Sequence, residues 1–564
     1  MSACDGNQPV AVTSLTTAAK KDSDLNSPNT LLKIEDLSVR LPEGADRPFA
    51  VEALSLAVGR GEIVCVVGES GSGKSIMAQA VMGILPSNLP APKGRILFEG
   101  TDFLAATPRE RLDLAGRKIS MIFQEPMAAL NPIVRVGEQV CETFRLHTKL
   151  SHDQARQKVL SLFKEVRLPD PERIFRSYPH QLSGGQCQRV MIATGLALDP
   201  AILIADEPTT ALDVTTQARI LELMLDLRNT HGTGILFITH DFGVVADIAD
   251  RVAVMQHGRL VEFGTKDEIL LAPKAPYTKA LIGAVPRLQY REPKPVSSTF
   301  AVRARDLVKT YSLPGFFGRG KQVHAVDHIT LDIARGETLG LVGESGSGKS
   351  SLARCIIRLT EPDGGLIELG DIPFSKLSGK ALQRARARIQ IVFQDPYTAL
   401  DPRQSVGDAI AEGPIIHGMA RAQARAKARE LLVSVGLDAN AADRFPHEFS
   451  GGQRQRICIA RALALEPSLL IADESVSALD VSVQAHILEL LETMQKVHGF
   501  AMLFITHDLR VASRLCDRIA VMKQGRIVEE ASPSVLFSAP KEAYTKELLS
   551  AVPGRHWQEG EARA

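Results

Sequence analysis

Two stretches of this sequence are of a type that holds phosphate. Gly68-Glu69-Ser70-Gly71-Ser72-Gly73-Lys74-Ser75 recurs unchanged, 275 residues later, as Gly343-Glu344-Ser345-Gly346-Ser347-Gly348-Lys349-Ser350. In a GxxxxGK[ST] loop after a strand, the glycines let backbone N–H groups curl around phosphate oxygens, and the following helix aims its positive N-terminus at them. Lys74 and Lys349 supply a point charge to the outer phosphates, and Ser75 and Ser350 can hold Mg²⁺. Two identical copies in matching contexts leave chance little room, so the chain is expected to bind nucleotide. The second feature is an apolar run ending in two acids: Asp206-Glu207 after Ala201-Ile202-Leu203-Ile204-Ala205, and Asp473-Glu474 after Leu469-Leu470-Ile471-Ala472. Asp206 and Asp473 can order Mg²⁺ through water, and Glu207 and Glu474 can polarise an attacking water as general bases. The bland alternative is a strand-end acid capping the next helix, and the P-loop that accompanies each pair weighs against it. These residues predict an ATPase using ATP and Mg²⁺.

The elements that must position them come from a chain written twice. Ser183-Gly184-Gly185-Gln186 returns as Ser450-Gly451-Gly452-Gln453, and Thr239-His240-Asp241 as Thr506-His507-Asp508, each 267 residues on. Tyr277-Thr278-Lys279 and Ala284-Val285-Pro286 are echoed by Tyr544-Thr545-Lys546 and Ala551-Val552-Pro553. The expected division is a polar, disordered tail over 1–30, one domain over 31–288, a linker over 289–299 and a second domain over 300–555. Each copy reads as α/β. Runs such as Ile63-Val64-Cys65-Val66-Val67 and Ile235-Leu236-Phe237-Ile238 have the character of buried parallel strands. A helix-rich, charged insertion is expected between Lys74 and Ser183 and between Lys349 and Ser450. Ligands of open parallel sheets bind beyond the carboxyl ends of strands, which is where these motifs fall.

Leu182-Ser183-Gly184-Gly185-Gln186 and Phe449-Ser450-Gly451-Gly452-Gln453 narrow the reading. Here the chain resembles the ATP-binding cassette family, whose signature this is, from about Leu31 to Pro553. Physically, Ser-Gly-Gly before a helix is another anion-binding N-terminus. The resemblance implies two tandem P-loop domains, each with a mainly parallel sheet core and a helical subdomain, sandwiched head to tail. Lys74 and its neighbours would then share one ATP with Ser450 and Gly452, and the Lys349 loop the other with Ser183 and Gly185. Gln124 and Gln394, in Phe123-Gln124-Glu125-Pro126 and Phe393-Gln394-Asp395-Pro396, resemble the Q-loop that contacts Mg²⁺ and water. His240 and His507 resemble the switch histidine that contacts the γ-phosphate. Ala211-Leu212-Asp213 and Ala478-Leu479-Asp480 resemble the D-loop that couples the two sites.

The copies also depart from one another. Family members stack an early aromatic residue on adenine. Tyr311 fits that place in the second half, but Leu41 stands opposite it in the first, with Phe49 as the substitute. Pro208 is matched by Ser475 and Cys187 by Arg454. Glu207 and Glu474 are both present, so both sites are expected to hydrolyse ATP.

For the task that hydrolysis drives, the segments 127–132 and 397–402 after the two Q-loops and the tail from Ala272 to Pro286 resemble peptide importers. The fused glutathione importer ATPases are of this kind. The resemblance implies an energy-coupling subunit at the cytoplasmic face of a bacterial inner membrane, two transmembrane permease subunits, and an extracytoplasmic substrate-binding protein. Short peptides or glutathione would be the cargo.

Composition is compatible with this. Lys and Arg total 66 against 65 Asp and Glu, a net charge of +1, so the basic excess of a nucleic-acid binder is missing and none is expected as partner. The seven cysteines contain no CxxC pair, which argues against a disulfide framework or a zinc ribbon, and the clustered cysteines that tails of the resembled subfamily often carry are missing here, so no iron–sulfur site is expected. No apolar run approaches a membrane span. Soluble tandem cassettes acting on ribosomes typically carry a long charged helical linker, and DNA-repair ATPases interrupt their cassettes with coiled coils or zinc modules. Neither feature is present in the sequence.

Overall fold

The computed structural model describes residues 29–209, 212–288, 298–313, 321–476 and 479–557. Nearly all of the expected tail and linker, together with the D-loop residues Ala211 and Ala478, lie outside them. The strand Ile63–Val67 illustrates how the sheets form. All five of its residues are buried, Ile63, Cys65 and Val67 in one apolar cluster and Val64 and Val66 in another. A β-branched run buried on both faces must be central, with helices above and below.

In the first half this strand lies in a six-stranded sheet of order Arg259–Thr265, Arg251–Gln256, Ile63–Val67, Gly234–Ile238, Ile202–Asp206, Ile119–Ile122. Its pairings are parallel except the antiparallel one to Arg259–Thr265. The second half repeats the order from Arg526–Ala531 through Arg518–Lys523, Thr338–Val342, Ala501–Ile505 and Leu469–Asp473 to Ile389–Val392. An antiparallel sheet flanks each core, built on Thr30–Arg40 paired with Phe49–Gly59 and on Phe300–Leu313 paired with Lys321–Ala334. The expected α/β class is therefore what the chain adopts.

The insertion expected to be helix-rich is less uniform. After the helix Lys74–Met82 it holds the strands Lys93–Phe98 and Ile119–Ile122, which join the antiparallel and the core sheet respectively. The helices Pro108–Leu114, Val136–His147 and His152–Glu165 lie between and after these strands, so the insertion is rich in helix as expected. The apolar quartet Ile119-Ser120-Met121-Ile122, all buried, makes the last strand of the core sheet, parallel to Ile202–Asp206, where the surrounding charge suggests helix.

The two halves exchange side chains. Val481, at the start of the helix Val481–His498, belongs to the apolar cluster of the first half, and Val214, at the start of Val214–His231, to that of the second. The segments beyond the sheets cross over as well: Leu288 packs on the second-half cluster and Trp557 on the first-half one.

Candidate nucleotide site

Each P-loop links a buried strand to a helix, Lys74–Met82 or Lys349–Ile356. Gly73 and Gly348 cap these helices at φ of 102° and 108°, a region open to glycine at little cost. A Cβ at Gly73 would also lie 2.3 Å from the Ala50 carbonyl oxygen, and one at Gly348 2.0 Å from that of Ala325. The lysines are held inside the loops. Lys74 Nζ donates to the carbonyls of Gly68 and Glu69 at 2.7 and 2.9 Å, and Lys349 Nζ to those of Gly343 and Glu344 at 2.8 and 2.9 Å. Burial lowers the pKa of Lys74, and the nearby acids Glu207, Asp480, Asp206 and Glu69 work against that.

The acid-ended strands deliver their carboxylates to the same place. Ser75 Oγ donates to Asp206 Oδ1 at 3.2 Å and Ser350 Oγ to Asp473 Oδ1 at 3.1 Å. Burial raises both aspartates, Asp206 to about 6. The next residue turns sharply: Glu207 and Glu474 both sit at φ 46°, a left-handed conformation that costs a non-glycine residue about 1–3 kcal/mol and is concentrated at functional sites. Gln124 Nε2 donates to Glu207 Oε2 at 3.0 Å and Gln394 Nε2 to Glu474 Oε2 at 2.9 Å. His240 Nδ1 lies 3.4 Å from Glu207 Oε2, and His507 Nδ1 3.7 Å from Glu474 Oε2. Burial pushes Glu474 up, but His507 and Lys349 outweigh it and hold the carboxyl below its ordinary value. Burial likewise disfavours a charged His240, yet its bond to Glu207 leaves the ring more basic than usual. The structure thus brings Gln, Glu, His, Asp, Ser and Lys together twice.

Both sites are built from both halves. Ser482 Oγ of the second half donates to Glu69 Oε1 at 2.5 Å, and Thr215 Oγ1 of the first donates to Glu344 Oε1 at 2.5 Å. Asp480 accepts from the Ser70 backbone N–H and lies close enough to influence Lys74, as Asp213 does for Lys349. The signature helices start beside these contacts. A Cβ at Gly452 would meet Val483 Cγ1 at 2.4 Å, and one at Gly185 would meet Thr216 Cγ2 at 3.5 Å. Ser183 and Ser450 cap the helices Gly184–Leu196 and Gly451–Leu463, each accepting from the N–H of Gln186 or Gln453 at 3.3 Å. The Gln186 and Gln453 side chains return the bond to the serine N–H, so the structure gives those amides a capping role.

Tyr311 is exposed beside the Lys309 ammonium, and Phe49 lies under the Arg40 guanidinium at the start of the strand carrying Ala50. Sequence reasoning missed several contributors. Tyr277 Oη accepts from the Glu69 N–H at 3.3 Å, and Tyr544 Oη from the Glu344 N–H at 3.1 Å, tying each tail segment to its own P-loop. Arg47 donates to the Gly71 carbonyl. The repetition of Tyr-Thr-Lys in both copies was the available signal for the tyrosines; Arg47 carried none.

Paired P-loops, acid-ended strands and serine-capped signature helices define a tandem nucleotide-binding ATPase, and the comparisons agree. The ABC transporter model matches residues 51–210 and 326–477, and the model of the oligopeptide/dipeptide transporter C-terminal region matches 261–301. The chain belongs to the ABC transporter family, as a fused two-cassette transporter ATPase. It is 45% identical over 568 aligned residues to the glutathione import ATP-binding protein GsiA of Escherichia coli K12, covering 94% of this chain and 91% of that one, and equally to that of Shigella boydii. Among solved structures, the post-hydrolysis dimer of the cassette MJ0796 bound to ADP and phosphate is 30% identical, with a TM-score of 0.38, covering 41% of this chain and 98% of that one.

Proposed function

We propose that this chain powers import of short peptides or glutathione by closing its two halves, 31–288 and 300–555, over two ATP molecules. The observation that supports this best is the pair of equivalent bonds from Ser482 to Glu69 and from Thr215 to Glu344, each joining a P-loop to the opposite half. Each phosphate cradle would be Gly68 to Ser75, or Gly343 to Ser350, faced by Ser450, Gly451 and Gly452, or by Ser183, Gly184 and Gly185. Tyr311, or Phe49 in the first half, would stack on adenine.

Ser75 with Asp206, Ser350 with Asp473, and the nearby Gln124 and Gln394 form sparse oxygen-donor sets of the kind that suits Mg²⁺ completed by phosphates. Bound there, the ion would neutralise charge on the transferring phosphoryl group. Glu207 and Glu474, oriented by the glutamine amides, would take the proton of the attacking water, and His240 and His507 would donate to the γ-phosphate. Glu474, held ionised by His507 and Lys349, suits an acceptor role.

No helix among the described residues is long and apolar enough to cross a membrane. Two permease subunits would supply the pore, fed by an extracytoplasmic binding protein, with this chain peripheral on the cytoplasmic face of the inner membrane. The relatives named for glutathione import and the match to the peptide-transporter segment support that cargo class. The Glu207→Gln/Glu474→Gln double variant should trap ATP with the halves closed. Purified from gently solubilised cells, it should carry multi-span permeases identifiable by mass spectrometry. Ribosomal proteins or DNA in their place would overturn the importer reading.

A further inference from the structure

Between the halves, beyond the two candidate histidines, lies a small cavity of about 80 Å³ lined by His240, Asp241, His507, Asp508 and Arg510, among others. Asp241 and Asp508 are equivalent residues, and each caps the helix that follows it, accepting from the N–H of Gly243 or Arg510 at 2.8 Å. The Arg510 side chain is only 8% exposed and lies between the two carboxylates. Its Nη1 and Nη2 donate to Asp241 Oδ1 and Oδ2 at 3.0 and 2.9 Å, and its Nε and Nη2 to Asp508 Oδ1 and Oδ2 at 3.1 and 2.9 Å.

The repeat breaks here. Residue 243, the counterpart of 510, is glycine, and a Cβ on it would lie 2.7 Å from Arg510 Nη1 and 2.6 Å from the Pro553 carbonyl oxygen. The space holds one guanidinium, supplied by the second half only. Two first halves facing each other would bury two carboxylates with no cation, and two second halves would put two arginines in one place.

We infer that Arg510 is a positioning residue that locks the two histidine-bearing loops together in the closed sandwich, so that the two ATP sites close as a unit. Its bonds to Asp508 stay within one half and survive opening, whereas its fork on Asp241 crosses the interface and must break. Since Asp241 directly follows His240 and Asp508 directly follows His507, a shift of either loop is passed to the other through this one planar group. The inference rests on the head-to-tail reading above.

The test uses the full chain with ATP as the probe. Arg510→Met should lower the Hill coefficient for ATP hydrolysis to 1 and raise the half-saturating ATP concentration about tenfold, with maximal turnover changed less than twofold. Arg510→Lys, which keeps the charge without the fork, should recover part of the cooperativity. If Arg510→Met does not fold, Asp241→Asn/Arg510→Met/Asp508→Asn removes all three charges together, and the same loss of cooperativity is expected from it. A folded Arg510→Met or triple variant that keeps the wild-type Hill coefficient and half-saturation overturns the inference. Failure of the head-to-tail reading would look different: Glu207→Gln/Glu474→Gln would then trap no ATP in an otherwise wild-type chain.

Discussion

Ser482→Ala deletes one bond across the interface and leaves the P-loop it touches otherwise intact. Ser482 Oγ donates to Glu69 Oε1 at 2.5 Å, while Glu69 keeps its contact with Tyr277 through its N–H and its other carboxylate oxygen. A hydrogen bond to a charged acceptor contributes about 1.5–3 kcal/mol, and the partial exposure of Ser482 places this one near the lower end. Each 1.4 kcal/mol is tenfold in an equilibrium, so closure over the Lys74 loop should weaken about tenfold. The bond involves neither Glu207 nor the residues bonded to its carboxylate, so the change should appear in half-saturation and leave maximal turnover within about twofold. Azido-ATP labelling of the full chain, with the labelled halves distinguished by mass spectrometry, would report each loop separately. Thr215→Val is the mirror-image perturbation and should weaken the Lys349 loop. Unchanged labelling in both variants, or Ser482→Ala acting on the Lys349 loop while sparing the Lys74 loop, would refute the assignment of each site to both halves.

Other outcomes follow from the same geometry. Glu207→Gln and Glu474→Gln should each reduce steady-state hydrolysis, and the double variant should lose about 10²–10⁴-fold; an unchanged rate in either single variant would show that its site was already silent. Asp241→Asn breaks a buried ion pair and should cost about 3–5 kcal/mol in denaturant unfolding at neutral pH. Burial pushes the Asp241 carboxyl up, but Arg510 outweighs it and holds it below the ordinary 3.8, so that stability is present above 3.8 and is lost as pH falls through the folded value; the deficit of Asp241→Asn should shrink over the same acid range. Ser475, standing where the first half has Pro208, buries a hydroxyl with no hydrogen-bond partner among the described residues, so Ser475→Ala should raise stability by about 1 kcal/mol, seen as a higher Tm. Gly73→Ala should abolish nucleotide binding at the Lys74 loop in the labelling assay, because both the positive φ and the Ala50 carbonyl exclude a Cβ.

The sequence by itself determined the duplication, the α/β class and most of the side chains that the structure gathers at the two candidate sites, because those signals are local. A loop must turn on glycine, a strand buried on both faces must be apolar throughout, and a carboxylate that meets phosphate must stand at a strand end. Locality also explains why the strand Ile119–Ile122 goes unread within the helix-rich insertion: four residues are too short to announce themselves among charged neighbours. Only the tertiary structure decided what meets what across hundreds of residues. Ser482 reaches Glu69, Val481 fills the first-half core, Tyr277 holds the P-loop backbone, and Arg510 occupies the place that Gly243 leaves open. None of these pairs shares a periodicity or a spacing that one stretch of chain could reveal. Each exists because two surfaces distant in sequence must satisfy one another's charges and volumes, and that condition is set only once the folded chain brings them face to face.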